Sequence, residues 1–168
     1  MLKFSILLFL GMSVSSMIIL SGNPVSAELI RGTNDADVFQ ATNDDDQIIA
    51  LGGNDDFNAL DGDDKISAGL GDDDVKGGGG NDEIRGDQGS DDINGDGDFV
   101  SDGVGVDRLF GGPGDDRLMH SNTDEDRTAP DGFKDTLDCG PGDDEAWINV
   151  NTDHDVVKNC ETIHDETG

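Results

Sequence analysis

Aspartate recurs every nine residues, from Asp37 through Asp46, Asp55, Asp64, Asp73 and Asp82 to Asp91. Two residues after each comes an apolar side chain: Phe39, Ile48, Phe57, Ile66, Val75, Ile84 and Ile93, with Ile30 opening the series. Glycine stands four residues before five of these apolar positions, at Gly53, Gly62, Gly71, Gly80 and Gly89. A carboxylate is a hard oxygen donor, and a glycine-rich turn leaves its carbonyl oxygens accessible. Donors of this kind at a fixed interval suit a hard cation. Calcium accepts several oxygens in flexible geometry, magnesium demands a stricter octahedron, and zinc prefers His and Cys, which the repeats lack.

The same spacing indicates what must hold the aspartates in place. Nine residues are too few for a helical hairpin but suit a tight turn of about six and a strand of about three. In a three-residue strand the side chains alternate, so only the central apolar residue points inward. One apolar residue in nine is then a full inner face. Successive strands fall on opposite walls of a flattened coil, and units eighteen residues apart stack on one wall at roughly 4.8 Å. Phe39, Phe57, Val75 and Ile93 form one expected ladder; Ile48, Ile66 and Ile84 form the facing one. Asp37, Asp55, Asp73 and Asp91 line one edge, and Asp46, Asp64 and Asp82 the other. Carboxylates stacked at strand distance repel one another, so the columns require a cation between them.

The phase breaks twice and returns. "GDGDFVSDGVG" (95–105) is an insertion, after which Asp107/Leu109 and Asp116/Leu118 resume nine apart. "HSNTDEDRTAPDG" (120–132) is polar and contains proline, hence a loop. Asp135/Leu137, Asp144/Ala146 and Asp155/Val157 follow, making twelve Asp-x-apolar units. Residues 92–103 partly match an EF-hand loop, with Asp92, Asn94, Asp96 and Gly97 in place, but Gly103 stands where a bidentate glutamate belongs. This segment reads as a turn insertion able to hold one extra calcium through Asp96, Asp98 or Asp102.

Composition alone would suggest disorder. The 168 residues carry 39 Asp plus Glu against 10 Lys plus Arg, a net charge of -29, with 25 Gly and no Tyr. A disordered acidic chain has no reason to keep a phase of nine. The charge excludes a nucleic-acid backbone as partner, because binding phosphates needs a cationic face. Residues 1–27 combine a basic Lys3, an apolar run from Phe4 to Leu20 and small residues Val25-Ser26-Ala27 before Glu28, the pattern of a cleaved secretory signal peptide. The alternative is an uncleaved membrane anchor, since the run is nearly long enough to span.

"GGGGNDEIR" (77–85) and "GGPGDDRLM" (111–119) resemble the Gly-Gly-x-Gly-x-Asp-x-apolar-x nonapeptide of repeats-in-toxin, or haemolysin-type, calcium-binding proteins. The resemblance implies an all-β fold, a parallel β-roll with two short-stranded walls, in which turn carbonyls and sixth-position aspartates bind several calcium ions between stacked turns. The implied ligands are Asp37, Asp46, Asp55, Asp64, Asp73, Asp82, Asp91, Asp107 and Asp116, extended by Asp135 and Asp144 among the irregular spacings. Alanine replaces the leading glycine at Ala41, Ala50, Ala59 and Ala68, and Asp35 and Asp44 replace the fourth-position glycine, which marks the first turns as the weak ones. Many secreted proteins of this family close the last turn with two cysteines. Cys139 and Cys160 would do so here, with Trp147 and Val157 capping the ladder; two free thiols in a loose tail are the alternative.

The expected organisation is a signal peptide (1–27), regular repeats (28–94), an insertion with two further repeats (95–119), a loop (120–134) and irregular terminal repeats closed by Cys139–Cys160 (135–168). Neither HExxH nor GxSxG occurs. His120, His154 and His164 lie at irregular spacing and read as solvated, with His154, between Asp153 and Asp155, a weak metal ligand at most. Two function classes remain. One is a secreted, non-enzymatic, monomeric calcium-binding roll at a surface or in an extracellular matrix, meeting a protein or glycan partner through its insertions and not inserted in a membrane once its leader is removed. The other is the secretion and folding module of a repeats-in-toxin type hydrolase, toxin or adhesin.

Overall fold

Within each unit the Asp-x-apolar-x-small pattern runs at strand period, so three side chains in five face the same way. The computed structural model describes residues 16–19, 29–96, 105–120, 132–148 and 154–165. In the unit opening at Asp37, the residues Asp37, Phe39 and Ala41 are buried while Val38 and Gln40 are exposed. Asp64, Ile66 and Ala68 repeat the arrangement around an exposed Lys65. A single inward residue per strand, as expected from sequence, is therefore too few. The pleat continues on both sides of the apolar residue, and the turn shrinks correspondingly.

Among the described residues fifteen short strands form two parallel sheets, the walls of a flattened coil that alternates between them at every turn. One wall has eight strands: β1 (Ser16–Ile19), β3 (Asp37–Gln40), β5 (Asp56–Asn58), β7 (Asp74–Lys76), β9 (Asp92–Asn94), β11 (Arg117–Met119), β13 (Glu145–Ile148) and β15 (Thr162–Asp165). The other has seven: β2 (Leu29–Arg31), β4 (Gln47–Gly52), β6 (Lys65–Leu70), β8 (Glu83–Gln88), β10 (Arg108–Phe110), β12 (Thr136–Asp138) and β14 (Val156–Lys158). Of the segment read as a signal peptide, only β1 is described, as an edge strand beside β3. Among the described residues no helix is long and apolar enough to cross a membrane.

The register follows the expected ladders. Phe39 pairs with Phe57, Phe57 with Val75 and Val75 with Ile93; opposite them Ile48 pairs with Ile66 and Ile66 with Ile84. The register is kept across both insertions: Ile84 pairs with Leu109, Ile93 with Leu118 and Leu109 with Leu137. The core is this double ladder of apolar residues plus the small inward residues Ala41, Ala50, Ala59 and Ala68, all buried. The Phe39 and Phe57 rings stack with centroids 5.0 Å apart, an offset pair that extends the ladder beyond simple burial.

Cys139 occupies the inward position after Leu137 and is bonded to Cys160, with Cα atoms 5.2 Å apart. By loop-closure entropy such a bridge contributes about 3 kcal/mol. Val157 and Cys160 pack against the core end. Trp147 does not cap the ladder. It stands at an outward position, paired with His164, and stacks on that ring at 4.4 Å.

Candidate metal centre

Each repeat aspartate sits two residues before the inward apolar side chain, so strand alternation turns it inward at the mouth of the turn. Asp37, Asp55, Asp73, Asp91, Asp116 and Asp144 form one edge column; Asp46, Asp64, Asp82, Asp107 and Asp135 form the other, and all are buried. Their Oδ1 atoms join successive coils. The backbone N–H of Asp55 donates to Asp73 Oδ1 at 2.8 Å, that of Asp64 to Asp82 Oδ1 at 2.9 Å, and that of Asp91 to Asp116 Oδ1 at 2.8 Å. The same bond spans both insertions, from Asp82 N–H to Asp107 Oδ1 and from Asp107 N–H to Asp135 Oδ1, each at 2.8 Å.

The second carboxylate oxygen is the one with chemistry left to do. Oδ2 of Asp55, Asp64, Asp73, Asp82, Asp91, Asp107, Asp116 and Asp144 is buried without a hydrogen-bond partner. Beside it lie carbonyl oxygens of the adjoining coil. A methyl group placed on Gly77 would collide with both Asp82 Oδ2 and the Gly95 carbonyl; on Gly86, with Asp91 Oδ2 and the Gly111 carbonyl; on Gly111, with Asp116 Oδ2 and the Cys139 carbonyl. Carboxylate and carbonyl oxygens thus converge at glycines where no side chain fits. This donor set is all oxygen, the kind calcium takes.

Electrostatics points the same way. Burial is the main cause that pushes the carboxyls upward, against the lowering effect of the Oδ1 hydrogen bond and with further raising by neighbouring carboxylates. Asp73 and Asp116 rise to about 6, Asp55, Asp82 and Asp91 to about 7, Asp64 to about 8 and Asp107 to about 9. Asp144 is also raised. Without cations Asp64 and Asp107 hold their protons at neutrality. A cation placed at the Oδ2 atoms would take the protons' role.

The first two turns differ. Asp37 Oδ2 accepts from the Thr33 backbone N–H at 2.7 Å and from the Thr33 hydroxyl at 3.0 Å. Asp46 Oδ2 accepts likewise from Thr42 at 2.9 and 2.8 Å. At the other end the Asp144 N–H donates to Glu161 Oε2 at 3.0 Å, so Glu161 continues a column of aspartates. The sequence reading did not single it out, although Glu161 stands two residues before Ile163. Asp155 Oδ1 accepts from the Asp135 N–H at 3.0 Å, which places Asp155 in the second column. In the EF-hand-like segment Asp96 is buried, whereas Asp98 and Asp102 lie outside the described residues. His154 is exposed, as read, but His120 is fully buried rather than solvated. Its signal was available: it stands two residues after Leu118, at an inward position.

No curated protein and no solved structure was found to match the chain. The family model of the RTX calcium-binding nonapeptide repeat (4 copies) matches residues 31–66, 67–99 and 94–122, more than half of the chain and the stretch that contains most of both columns. RTX nonapeptide repeats bind calcium, and inward aspartates stacked against turn carbonyls in a parallel β-solenoid fit a calcium-binding β-roll. The chain belongs to the RTX calcium-binding nonapeptide repeat family.

Proposed function

We propose that this chain is an exported β-roll whose folding is driven by several calcium ions, that it has no catalytic chemistry of its own, and that it serves as a structural module at a cell surface or in an extracellular matrix. The observation that carries the reading is the set of buried Oδ2 atoms lacking hydrogen-bond partners, turned toward carbonyls of the next coil. Asp55, Asp64, Asp73, Asp82, Asp91, Asp107, Asp116 and Asp144 would hold the ions, with turn carbonyls completing each site. Bound calcium supplies the positive charge that relieves carboxylate repulsion within each column.

Export is supported by the leader-like residues 1–27 and by the Cys139–Cys160 disulfide, a bond that persists in oxidising compartments. It also fits coupling of folding to calcium, because a site filled at a hundredfold over its Kd adds about 2.7 kcal/mol. The chain would stay loose where calcium is scarce and close where it is plentiful. The structural role is supported by the ladder positions, which among the described residues are filled with packed apolar side chains.

Circular dichroism of the purified chain tests the reading. A coil spectrum in chelator and a β spectrum in millimolar calcium are expected. A chain that is already a roll in excess chelator at neutral pH would contradict calcium-driven folding, and turnover of a hydrolase substrate that follows the folded protein would contradict the structural role.

A further inference from the structure

From β3 to β9 of the eight-stranded wall the inward position two residues after the ladder residue is small: Ala41, Ala59, Gly77 and Gly95. The reason is local. At Gly95 an added methyl would strike Asp107 Oδ2. One coil further the same position carries His120, whose N–H continues the wall by donating to the Trp147 carbonyl at 3.3 Å. An imidazole therefore stands where the four preceding coils of this wall carry only a hydrogen or a methyl, and the next coil carries the buried Ile148.

His120 Nδ1 lies 3.8 Å from Asp135 Oδ2 and 3.9 Å from Asp155 Oδ2, and all three side chains are fully buried. One donor atom from each residue falls within 4.8 Å of the other two. Asp135 and Asp155 each use Oδ1 to accept a backbone N–H, at 2.8 and 3.0 Å, which fixes the direction of Oδ2. We propose that His120, Asp135 and Asp155 form a second kind of metal site, one that takes a single divalent first-row transition ion such as zinc in preference to calcium.

Two lines of chemistry support this. A protonated imidazole held by carboxylates makes charge-assisted bonds of about 2.7–2.9 Å, and the separations here are about 1 Å longer. Two donors that each sit about 2.0–2.1 Å from a shared zinc ion stand roughly 3.3–4.2 Å apart, depending on the angle between them, and the His120–carboxylate separations fall in that interval. The donor set also discriminates. Calcium takes oxygen ligands, whereas one imidazole nitrogen with two carboxylate oxygens matches zinc and its neighbours. The site joins β11, the turn before β12 and the turn before β14, so a bound ion would fasten the last coils beside the Cys139–Cys160 bridge.

Zinc titration of the calcium-loaded full chain by calorimetry, in millimolar calcium, tests the site. One equivalent of zinc should bind, and zinc-edge X-ray absorption should count one imidazole ligand. His120→Asn and Asp155→Asn should each weaken binding roughly tenfold or more, as expected for loss of a ligand or its support, while His154→Asn and His164→Asn leave it unchanged. Absence of zinc binding, a spectrum without imidazole, or loss of binding in His164→Asn would each overturn the proposal. If His120→Asn fails to fold, the wild-type absorption spectrum and Asp155→Asn decide the matter.

Discussion

The backbone N–H of Asp73 donates to Oδ1 of Asp91, 3.0 Å away and one full coil further along the chain. One oxygen of Asp91 thus sets the register of the coils, and Oδ2 is left for a cation. These two duties separate by substitution. Asp91→Asn keeps an oxygen acceptor for the Asp73 N–H but removes the charge, so calcium stoichiometry by calorimetry should fall. Asp91→Ala removes the acceptor as well. It should cost about a further 1–3 kcal/mol, because a buried donor is left unsatisfied, and should require more calcium to fold. Unchanged stoichiometry in Asp91→Asn would remove this residue from the ligand set.

Acidity should act on the calcium-free roll in the opposite sense from calcium-loaded protein. The carboxyls of Asp55, Asp64, Asp73, Asp82, Asp91, Asp107 and Asp116 are raised from 3.8 to values between about 6, at Asp73 and Asp116, and about 9, at Asp107. The folded calcium-free state therefore binds more protons than the unfolded chain, and its stability falls as pH rises. The contribution is complete below the unfolded value of 3.8 and is lost as pH passes through about 6 to about 9. In chelator, β structure should grow on acidification towards pH 4. In calcium, affinity should instead increase with pH, with protons released on binding that calorimetry in buffers of different ionisation enthalpy detects. Chelator-treated chain that gains β structure as pH rises would contradict this.

Much of this architecture was legible because its period is fixed by the inner face. Phe39, Phe57, Val75 and Ile93 had to stack if nine residues make half a coil, and they do. The width of the inner face was read too narrowly. Ala50 and Ala68 look like poor substitutes for a turn glycine until the pleat is followed two residues past Ile48 and Ile66, where both are buried. His120 was obscured by the same omission, since its register relative to Leu118 matters more than the polar sequence that follows it. Glu161 escaped because Ile163 follows Val157 by only six positions, so the regular spacing of nine no longer pointed to it. The Thr33 and Thr42 contacts were hidden for a different reason: an Oγ bond to a carboxylate four residues on depends on turn geometry, which periodicity does not report.

Turn geometry makes a prediction about glycine. Gly80 has φ 120°, and an added methyl would strike the Gly62 carbonyl of the neighbouring coil. Leu60 has φ 79°, in the left-handed region that costs a side chain roughly 1–2 kcal/mol. Gly80→Ala should therefore raise the calcium concentration needed for folding, by a destabilisation above about 1 kcal/mol. Leu60→Gly relieves strain while loosening the unfolded chain, so it should change stability by less than about 1 kcal/mol. Calcium titrations followed by circular dichroism rank the two. Equal midpoints for Gly80→Ala and the parent chain would refute the close approach of the coils.

The first turns provide the last contrast, between Asp46 and Asp64. These aspartates belong to one column, and the Asp46 N–H donates to Asp64 Oδ1 at 2.6 Å. Their outer oxygens meet different partners. Asp46 Oδ2 is held by the Thr42 N–H and hydroxyl at 2.9 and 2.8 Å, a local arrangement that satisfies the carboxylate from within its own turn. The position equivalent to Thr42 is Leu60 in the turn before Asp64, which offers no hydroxyl, and Asp64 Oδ2 has no hydrogen-bond partner. Burial raises Asp64 to about 8, whereas the threonine bonds give Asp46 Oδ2 two donors without any ion. Asp64→Asn should then lower the number of calcium ions bound, and Asp46→Asn should leave that number unchanged while loosening the first coil. Thr42→Val supplies the complement: it removes the hydroxyl but keeps the backbone donor, and should raise calcium affinity at the Asp46 turn. Calorimetry on the three variants, each compared with the parent at one pH, measures all of these effects. A loss of one ion in Asp46→Asn equal to that in Asp64→Asn would show that the threonine contacts give way to calcium and that the first turns bind as the later ones do.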